Sequence, residues 1–270
     1  MASINTNVGS QVALADLART QTDLNTTQNR ISTGLKVTGP QDNASDFSIA
    51  QGIRSDLKAF DAVQQSLSSG TGIIQTAIAG ATSVSNLLNT IKSKAIEASN
   101  PANTATQQSI LANDFNAMIG QLNTFINNAV YNGRNLLSSS SASVSITSTI
   151  SGGQLTLNNA STLSTISATL SSGVGTTAAA LALLSTVDAQ QLVVGSALGS
   201  LGANANDLNF LTTFTKSLSD AVNQGLGSLV DANLAQESAN LQALQVKQQL
   251  GVQALSIANQ RPQIILSLFR

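Results

Sequence analysis

The sequence predicts a mainly α-helical protein, a long antiparallel bundle or coiled coil built from both chain ends, with a small β-rich central insertion. Near both ends apolar residues recur at steps of three and four, the spacing that keeps one face of a helix apolar. Apolar residues make up 42% of the chain but aromatic residues only 3%. Burial must therefore come mainly from Leu, Ile, Val and Ala, which suits long packed helices.

The composition excludes several classes of function. Charged residues make up only 9% of the chain and the net charge is -1, so no basic field attracts nucleic acid or a membrane surface. Cysteine and histidine are both absent, which removes a Ser-His dyad, a thiol nucleophile and an ordinary zinc site. We therefore expect no enzyme, no metal and no cofactor. Neither a secretory signal peptide nor an apolar run of membrane-spanning length is visible.

The first predicted helix carries a heptad seam that alternates apolar residues with glutamine. Gly39-Pro40 breaks the helix. The seam positions are Leu14, Leu17, Gln21, Leu24, Gln28, Ile31 and Leu35.

A second, much longer helix follows residues that suit a helix N-cap, among them Asp42 and Asp46. Its apolar stripe continues to Ala98, which from position 50 gives a helix about 70 Å long. Three glycines, at positions 70, 72 and 80, are weak points where it could bend. Asn100-Pro101 then forms a turn, and a third helix ends at residues 131–133.

The middle of the chain contains no charged residue from position 135 to 187 and is rich in Ser and Thr. Alternating residues at 144–147 and 155–157 flank Gly152-Gly153, which predicts a β-hairpin. Ser/Thr-rich strand or loop should follow to about Gly175, the alternative being a disordered linker. Helix should return near Val187 and run toward Gly225.

Three glycines in this later helix, Gly195, Gly199 and Gly202, resemble a phosphate loop or a membrane dimer motif only superficially. No strand precedes them and no lysine follows. Close helix packing is the interpretation we adopt.

The last stretch of the chain, from position 230, repeats the three-and-four spacing. Glu237, Gln248 and Gly251 interrupt its stripe. An apolar end of this kind must dock on something, because a long single apolar helix is not stable in water. The apolar members of this terminal seam are Leu234, Leu241, Leu244, Leu255, Ile264 and Leu268.

Short sequence strings at both ends of the chain resemble those of the bacterial flagellins, in particular the short alphaproteobacterial forms. The matching strings are LSIANQ at 255–260, PQ at 262–263, LSLFR at 266–270, INTN at 4–7 and RISTGL at 30–35. The resemblance implies a secreted structural subunit, exported by a type III route without cleavage, that polymerises into the extracellular flagellar filament for swimming. Implied partners are further copies of the chain, hook-associated and cap proteins, and an export chaperone at the C-terminal end.

The resemblance also implies a domain plan. Residues 1–40 with 230–270 would form an inner terminal coiled coil, 41–137 with 176–229 a helical bundle, and 138–175 an outer variable region. Two alternatives remain open: a hook-filament junction protein, and a secreted coiled-coil adhesin.

Flagellins that the innate Toll-like receptor detects present a helix patch that includes two arginines and a glutamate. The matching run here is 88–94, where Thr90 replaces the first arginine, Ser93 removes an acceptor, and Lys94 places a cation at an apolar position. We call these three residues the receptor patch. We expect it to bind that receptor poorly.

Overall fold

The computed structural model describes residues 6–139 and 142–267, with side chains as far as Gln260. The described residues group into two compact units, one formed by residues up to 55 and from 221 onward, the other by 56–220. The mainly helical class predicted from the sequence is confirmed. The elements are α1 Val8–Thr33, α2 Ala44–Ala98, α3 Ala105–Asn128, β1 Val144–Thr147, β2 Gln154–Leu157, α4 Ile166–Thr169, α5 Thr177–Val230 and α6 Leu234–Ser267.

The helix ends of the first unit follow from capping chemistry. The Asn7 side chain accepts a hydrogen bond from the Ser10 amide and so caps α1. Gly34 ends that helix in the left-handed conformation, with φ 72°, which a residue without Cβ adopts freely. At α2 the Asn43 side chain accepts bonds from the amides of Ser45 and Asp46, so the N-cap is Asn43.

The second unit is built around one apolar core. α2, α3 and α5 contribute the largest share, and residues of the hairpin and of α4 complete it. The core is almost wholly aliphatic, as the composition predicted, with Phe115 the largest fully buried side chain. Buried Asn135 ties this core together, because its Nδ2 donates to the Ile126 carbonyl at 2.7 Å while its Oδ1 accepts from the Leu137 amide at 2.7 Å.

Glycine in α2 serves packing, and the predicted weak points do not break the helix, which runs without interruption through all three. A Cβ on Gly72 would lie 2.5 Å from Tyr131 Cζ, and one on Gly80 would lie 2.7 Å from the Ala129 Cβ. A Cβ on Gly70 would come within 2.6 Å of the Ile146 side chain. Each glycine therefore opens a notch that a neighbouring segment fills.

The predicted hairpin is present, and the segment after it differs from the prediction. β1 and β2 are antiparallel, with Val144 opposite Leu157 and Thr147 opposite Gln154. The expected strand or loop to Gly175 is instead a 3-10 turn, Ser161–Thr165, that leads into α4. Leu163, Ile166 and Leu170 are spaced by three and four residues and are fully buried, so a helical turn places all three in the core.

The helix α5 begins at Thr177, ten residues before the predicted start near Val187. Its first turns are rich in alanine, the strongest helix former, and bury Ala180 and Leu183. Within the described subunit its glycines are not close-packing sites. A Cβ at 195, 199 or 202 would meet nothing within 4 Å.

By length and composition alone, α5 is the one helix among the described residues that could cross a membrane, a possibility the sequence search for apolar runs missed. Only 22% of its most apolar window is buried. One face, which includes Val187, Val194 and Leu201, is buried in the core of the second unit. The opposite face supplies the rest of the apolar character.

Candidate assembly interface

The helices α1 and α6 lie against each other as an antiparallel pair, which we call the terminal pair. Polar bonds along its length fix the alignment. Asn7 Nδ2 donates to the Ala258 carbonyl at 2.7 Å, and Gln248 Nε2 donates to Gln21 Oε1 at 2.7 Å. At the opposite end Arg30 donates to the Glu237 carboxylate at 3.3 Å. These bonds allow one register only.

The seam between the two helices contains most of the residues that the sequence placed there. The structure brings together Leu17, Leu24, Ile31, Leu241, Leu244 and Leu255 as buried or half-buried side chains. Leu24 is the most enclosed of them, at 6% exposure. Leu17 packs onto Gly251, whose Cβ would lie 3.2 Å from the leucine Cδ1.

At every second seam position of α1, the residue that faces α6 lies one position earlier in the sequence than the predicted residue. Leu14 is 57% exposed, and Gln21 and Gln28 are exposed too. The residues one position earlier, Ala13, Thr20 and Thr27, face inward instead. The prediction placed Leu14 in the seam instead of Ala13 because leucine is the more hydrophobic residue. The folded pair places small residues in the seam and leaves the long glutamines at its edge, where water solvates them. Thr20 can face inward because its hydroxyl bonds to the Asp16 carbonyl.

The remaining predicted seam residues lie elsewhere. Leu234 is 49% exposed, one turn before the first buried seam residue of α6, Glu237. Leu35 belongs to a second small cluster with Val37, Ala50 and Val230, where the chain enters α2 and leaves α5. Ile264 lies within α6, although its side chain is not described, and Leu268 lies outside the described residues.

The backbone also joins the two chain ends at this cluster. The Lys36 amide donates to the Val230 carbonyl at 2.7 Å, and the Ala232 amide donates to the Gly34 carbonyl at 2.8 Å. Nearby, Thr38 donates through both its hydroxyl and its amide to Asp42. These hydrogen bonds lower the pKa of the Asp42 carboxyl, which therefore stays charged and closes the turn before α2.

One ion pair in the seam is partly buried. The Glu237 side chain is 11% exposed and that of Arg30 is 35% exposed. An open groove of about 330 Å³ lies beside them, with Asp23 and Lys247 on its walls. Its charged residues have both signs, and the rest of its wall combines polar residues with Ala243 and Leu244. No cluster of three potential metal ligands occurs within the part of the chain that the structure describes.

A second apolar stripe on α6 was not predicted from the sequence. Val246, Leu250 and Ile257 are 55%, 58% and 64% exposed. They follow each other by four and seven residues, so they share one helix face, and that face lies opposite the α1 seam. The spacing was visible in the sequence, but the stronger seam pattern concealed it. On α1, Val8 and Val12 are likewise exposed, at 64% and 56%, away from the seam.

The receptor patch lies on α2 in the second unit, where its three residues share one side of the helix. Thr90 and Ser93 are exposed, and Lys94 is half-buried. Lys94 Nζ donates to Glu97 at 2.8 Å, and this bond raises the pKa of the lysine. Lys92, within the same run, pairs with Asp188 of α5. The local cations therefore already have carboxylate partners on their own chain.

These features define a class of protein. The two ends of the chain pair with each other, the pair is closed by polar bonds in one register, and apolar stripes remain uncovered on its outer faces. Such a chain is a subunit of an assembly, because the uncovered stripes are too apolar for a permanently solvated surface.

Comparison with known proteins identifies the family. Residues 4–142 match the bacterial flagellin N-terminal helical region, and residues 184–269 match the bacterial flagellin C-terminal helical region. The chain belongs to the bacterial flagellin family, a family of structural proteins, and is a subunit of the flagellar filament. The resemblance noted in the sequence is confirmed, and the junction-protein and adhesin alternatives are not favoured.

Full-length relatives support this assignment. Flagellin FljK of Caulobacter vibrioides is 38% identical over 269 residues, which cover 99% of this chain and 98% of the relative. The flagellin of Brucella melitensis is 37% identical over 284 residues, with 100% of both chains covered.

Two solved structures share the fold. Bacillus cereus flagellin has a TM-score of 0.52 and 21% identity, over 56% of this chain and 88% of that chain. A putative flagellar hook-associated protein from Vibrio parahaemolyticus has a TM-score of 0.59 and 14% identity, over 70% of this chain and 100% of that chain.

Proposed function

We propose that copies of this flagellin polymerise through the outer faces of the terminal pair, and that the resulting filament transmits torque for swimming. The observation that carries the proposal is the second stripe of α6. The first stripe is already covered by α1, so the second has no partner among the residues that the structure describes.

The free energy available from covering the second stripe is substantial. Full burial of a Val, Leu or Ile side chain stabilises by about 1.5–3 kcal/mol. The three side chains of the stripe still expose 55–64% of their surface, so covering them would contribute about 3–5 kcal/mol per subunit. The faces that meet carry little charge, since α6 contains only Glu237 and Lys247 among its described side chains. Assembly therefore dehydrates few ions.

The total exposed surface of the subunit agrees with this proposal. The chain exposes 15620 Å², whereas a folded monomer of 27.6 kDa typically exposes about 11,000 Å². The excess, on the order of 4,000 Å², is enough for several ordinary interfaces. Contacts between the unlike faces of successive copies do not close into a ring, and they generate a helical filament.

The remaining roles follow from the family. Residues 1–40 with 230–270 would line the filament core, 41–137 with 176–229 would surround them, and 138–175 would face outward. The subunit would leave the cell through the export apparatus and reach the extracellular filament. An export chaperone would cover the C-terminal end beforehand, and hook-associated and cap proteins would contact the filament ends.

The test is seeded growth of filaments from purified monomer, with one charge added at two sites of α6. Leu250→Asp should raise the critical concentration by about a thousandfold, because it loses apolar burial and dehydrates a carboxylate, together about 4 kcal/mol. Gln245→Asp adds the same charge at an exposed position on neither stripe and should polymerise almost normally. Normal growth of the Leu250 variant would refute the proposal, and so would equal loss in both variants.

A further inference from the structure

A tight turn between α3 and β1 contains the one Asn-Gly pair of the chain, Asn132-Gly133. Tyr131 and Arg134 close this turn, since the amide of each donates to the carbonyl of the other at 2.9 Å. Asn132 has φ 49° and Gly133 has φ 75°, which together with the closing bonds define a type I′ turn. Among the residues that the structure describes, Asn132 is the only non-glycine residue with a positive φ. We call residues 131–134 the Asn-Gly turn.

The Asn-Gly turn is held in place from both of its flanks. The Tyr131 ring lies on the backbone of Gly72 in α2, where a Cβ would come within 2.5 Å of the ring. On the other flank, buried Asn135 donates to the Ile126 carbonyl at 2.7 Å. Asn132 and its glycine neighbour are themselves exposed. Water therefore reaches the asparagine, while the flanking residues fix its backbone.

The position of Asn132 before a glycine opens an intramolecular reaction to its side chain. The Gly133 nitrogen attacks Cγ of Asn132, so that an N–Cγ bond forms, the Cγ–Nδ2 bond breaks, and ammonia leaves with the proton that the glycine nitrogen gives up. Gly133 has no Cβ to obstruct this approach. Water then opens the cyclic imide. Opening at the side-chain carbonyl gives aspartate, and opening at the main-chain carbonyl gives isoaspartate, whose main chain runs through Cβ and Cγ.

The closed turn keeps the reacting atoms apart. For the imide to form, the Gly133 nitrogen must lie on the same side of the Cα–C bond of Asn132 as Cβ does. In an ideal type I′ turn, ψ of this residue is about 30°, which in an L-residue places the nitrogen nearly opposite Cβ. Reaction therefore requires the turn to open, as local segments of folded proteins do transiently.

We propose that Asn132 is a modification site that converts to aspartate or isoaspartate only when the Asn-Gly turn opens. The inference concerns the second unit alone and does not rest on polymerisation. A chain that stays folded keeps the side-chain amide, and a chain that stays unfolded loses it first at this residue. An asparagine that served the turn only through its tolerance of a positive φ would react equally in both states.

The two products differ in whether the turn can form again. Aspartate keeps the normal main chain, and Asp-Gly is itself a preferred pair in type I′ turns. Isoaspartate adds one carbon atom to the main chain, so Tyr131 and Arg134 lose their pairing and the Tyr131 ring loses its position on Gly72. After dilution from denaturant, size-exclusion chromatography should therefore recover fewer isoaspartate chains than aspartate chains in the folded fraction. Equal recovery would contradict this step.

The main experiment follows the loss of the Asn132 amide in the full chain, folded and in guanidinium chloride, in mildly alkaline buffer. Trypsin releases the residue in a peptide that ends at Arg134, and fragment mass spectrometry locates and distinguishes the two products. We expect the folded chain to react at least about tenfold more slowly than the unfolded chain, and Asn132→Gly to abolish the signal. Equal rates in both states would overturn the inference, and so would faster loss at another asparagine of the unfolded chain.

Variants of Tyr131 test whether its ring keeps the turn closed. Tyr131→Phe retains the ring and should react at the wild-type rate in the folded chain. Tyr131→Ala removes the ring and should react at least about threefold faster while the rest of the chain stays folded. Gly72→Ala displaces the same ring and replaces the alanine variant if that variant fails to fold. Wild-type rates in both ring-displacing variants would refute protection by the Tyr131 contact.

Discussion

Substituting Gly80 by alanine should destabilise the second unit, although alanine is the better helix former. The added Cβ would lie 2.7 Å from the Ala129 Cβ and 2.9 Å from Leu137 Cδ1, where carbon atoms prefer about 3.5–4.0 Å. Ala129 cannot rotate its Cβ away, and Leu137 is fully buried, so backbone must move by about 1 Å. Such overpacking costs about 1–3 kcal/mol, against about 1 kcal/mol gained in helix propensity. The loss of the close contact that Gly80 now allows adds to the cost, so we expect a net loss of about 1–2 kcal/mol.

The matched control is Gly120→Ala, whose Cβ would meet nothing within 4 Å. It should stabilise by about 0.5–1 kcal/mol, so the two alanine variants should shift the unfolding free energy in opposite directions. Urea titration followed by far-ultraviolet circular dichroism measures both. Adding Ala129→Gly to the Gly80 variant removes the obstructing Cβ and should recover part of the loss. A Gly80→Ala variant as stable as the wild type would refute this account of the notch.

The other predictions concern assembly and recognition. Leu24→Asp should abolish filaments while most helicity of the second unit is kept, because a carboxylate in the seam costs about 4 kcal/mol or more. In the monomer, Leu14→Asp should not change the protection of the backbone amides of the terminal pair from hydrogen exchange. Trypsin should cleave the monomer after Arg19 and Lys247 and spare both sites in filaments, and equal cleavage in both states would contradict coverage by neighbours. A short insertion at residues 152–153 should preserve seeded growth, since a hairpin tip has few contacts to lose, and blocked growth would make the hairpin an interface. Monomer should activate the Toll-like receptor about a thousandfold less potently than a flagellin with the intact motif, because each of the three lost hot spots is worth roughly 2 kcal/mol and neighbouring losses do not add fully. Equal potency in reporter cells would overturn that expectation.

The sequence predicted the helical elements well where one strong pattern dominated. Apolar steps of three and four identified α2 as one long helix, and its observed bounds are Ala44–Ala98. Alternation around Gly152-Gly153 identified the hairpin. Both patterns are local, and each fits one type of secondary structure, because backbone geometry gives a strand a period of two residues and a helix a period of 3.6.

The prediction was less accurate where two patterns competed for one helix. Ala13 and Leu14 both continue a heptad through Leu17, Leu24 and Ile31, and hydrophobicity alone selects the leucine. Packing selects the alanine instead, because α6 approaches that side and leaves Leu14 57% exposed. Side-chain volume at a contact depends on the partner, which a single periodic pattern does not describe.

The helical glycines are a second case that the sequence alone did not resolve. The sequence treats all helical glycines alike, as positions of low helix propensity. In the structure other side chains pack against Gly72 and Gly80, whereas Gly195, Gly199 and Gly202 face open space. Which class a glycine belongs to depends on segments far away in the chain, such as Tyr131 and Ala129. Tertiary structure was therefore needed to separate them.

Both α5 and α6 are apolar on two opposite faces, and this shared property links the fold to assembly. In each helix one face is covered within the subunit, by the core at Leu201 or by the seam at Leu244, and the other remains open at Phe210 or at Leu250. A protein that works as a monomer would gain solubility from charged residues on the open face, yet only 9% of this chain is charged. A filament gains more from keeping it apolar, because each added copy then buries surface without dehydrating ions. The open faces thus make the monomer less soluble, and covering them before assembly is the role that the proposed export chaperone would have.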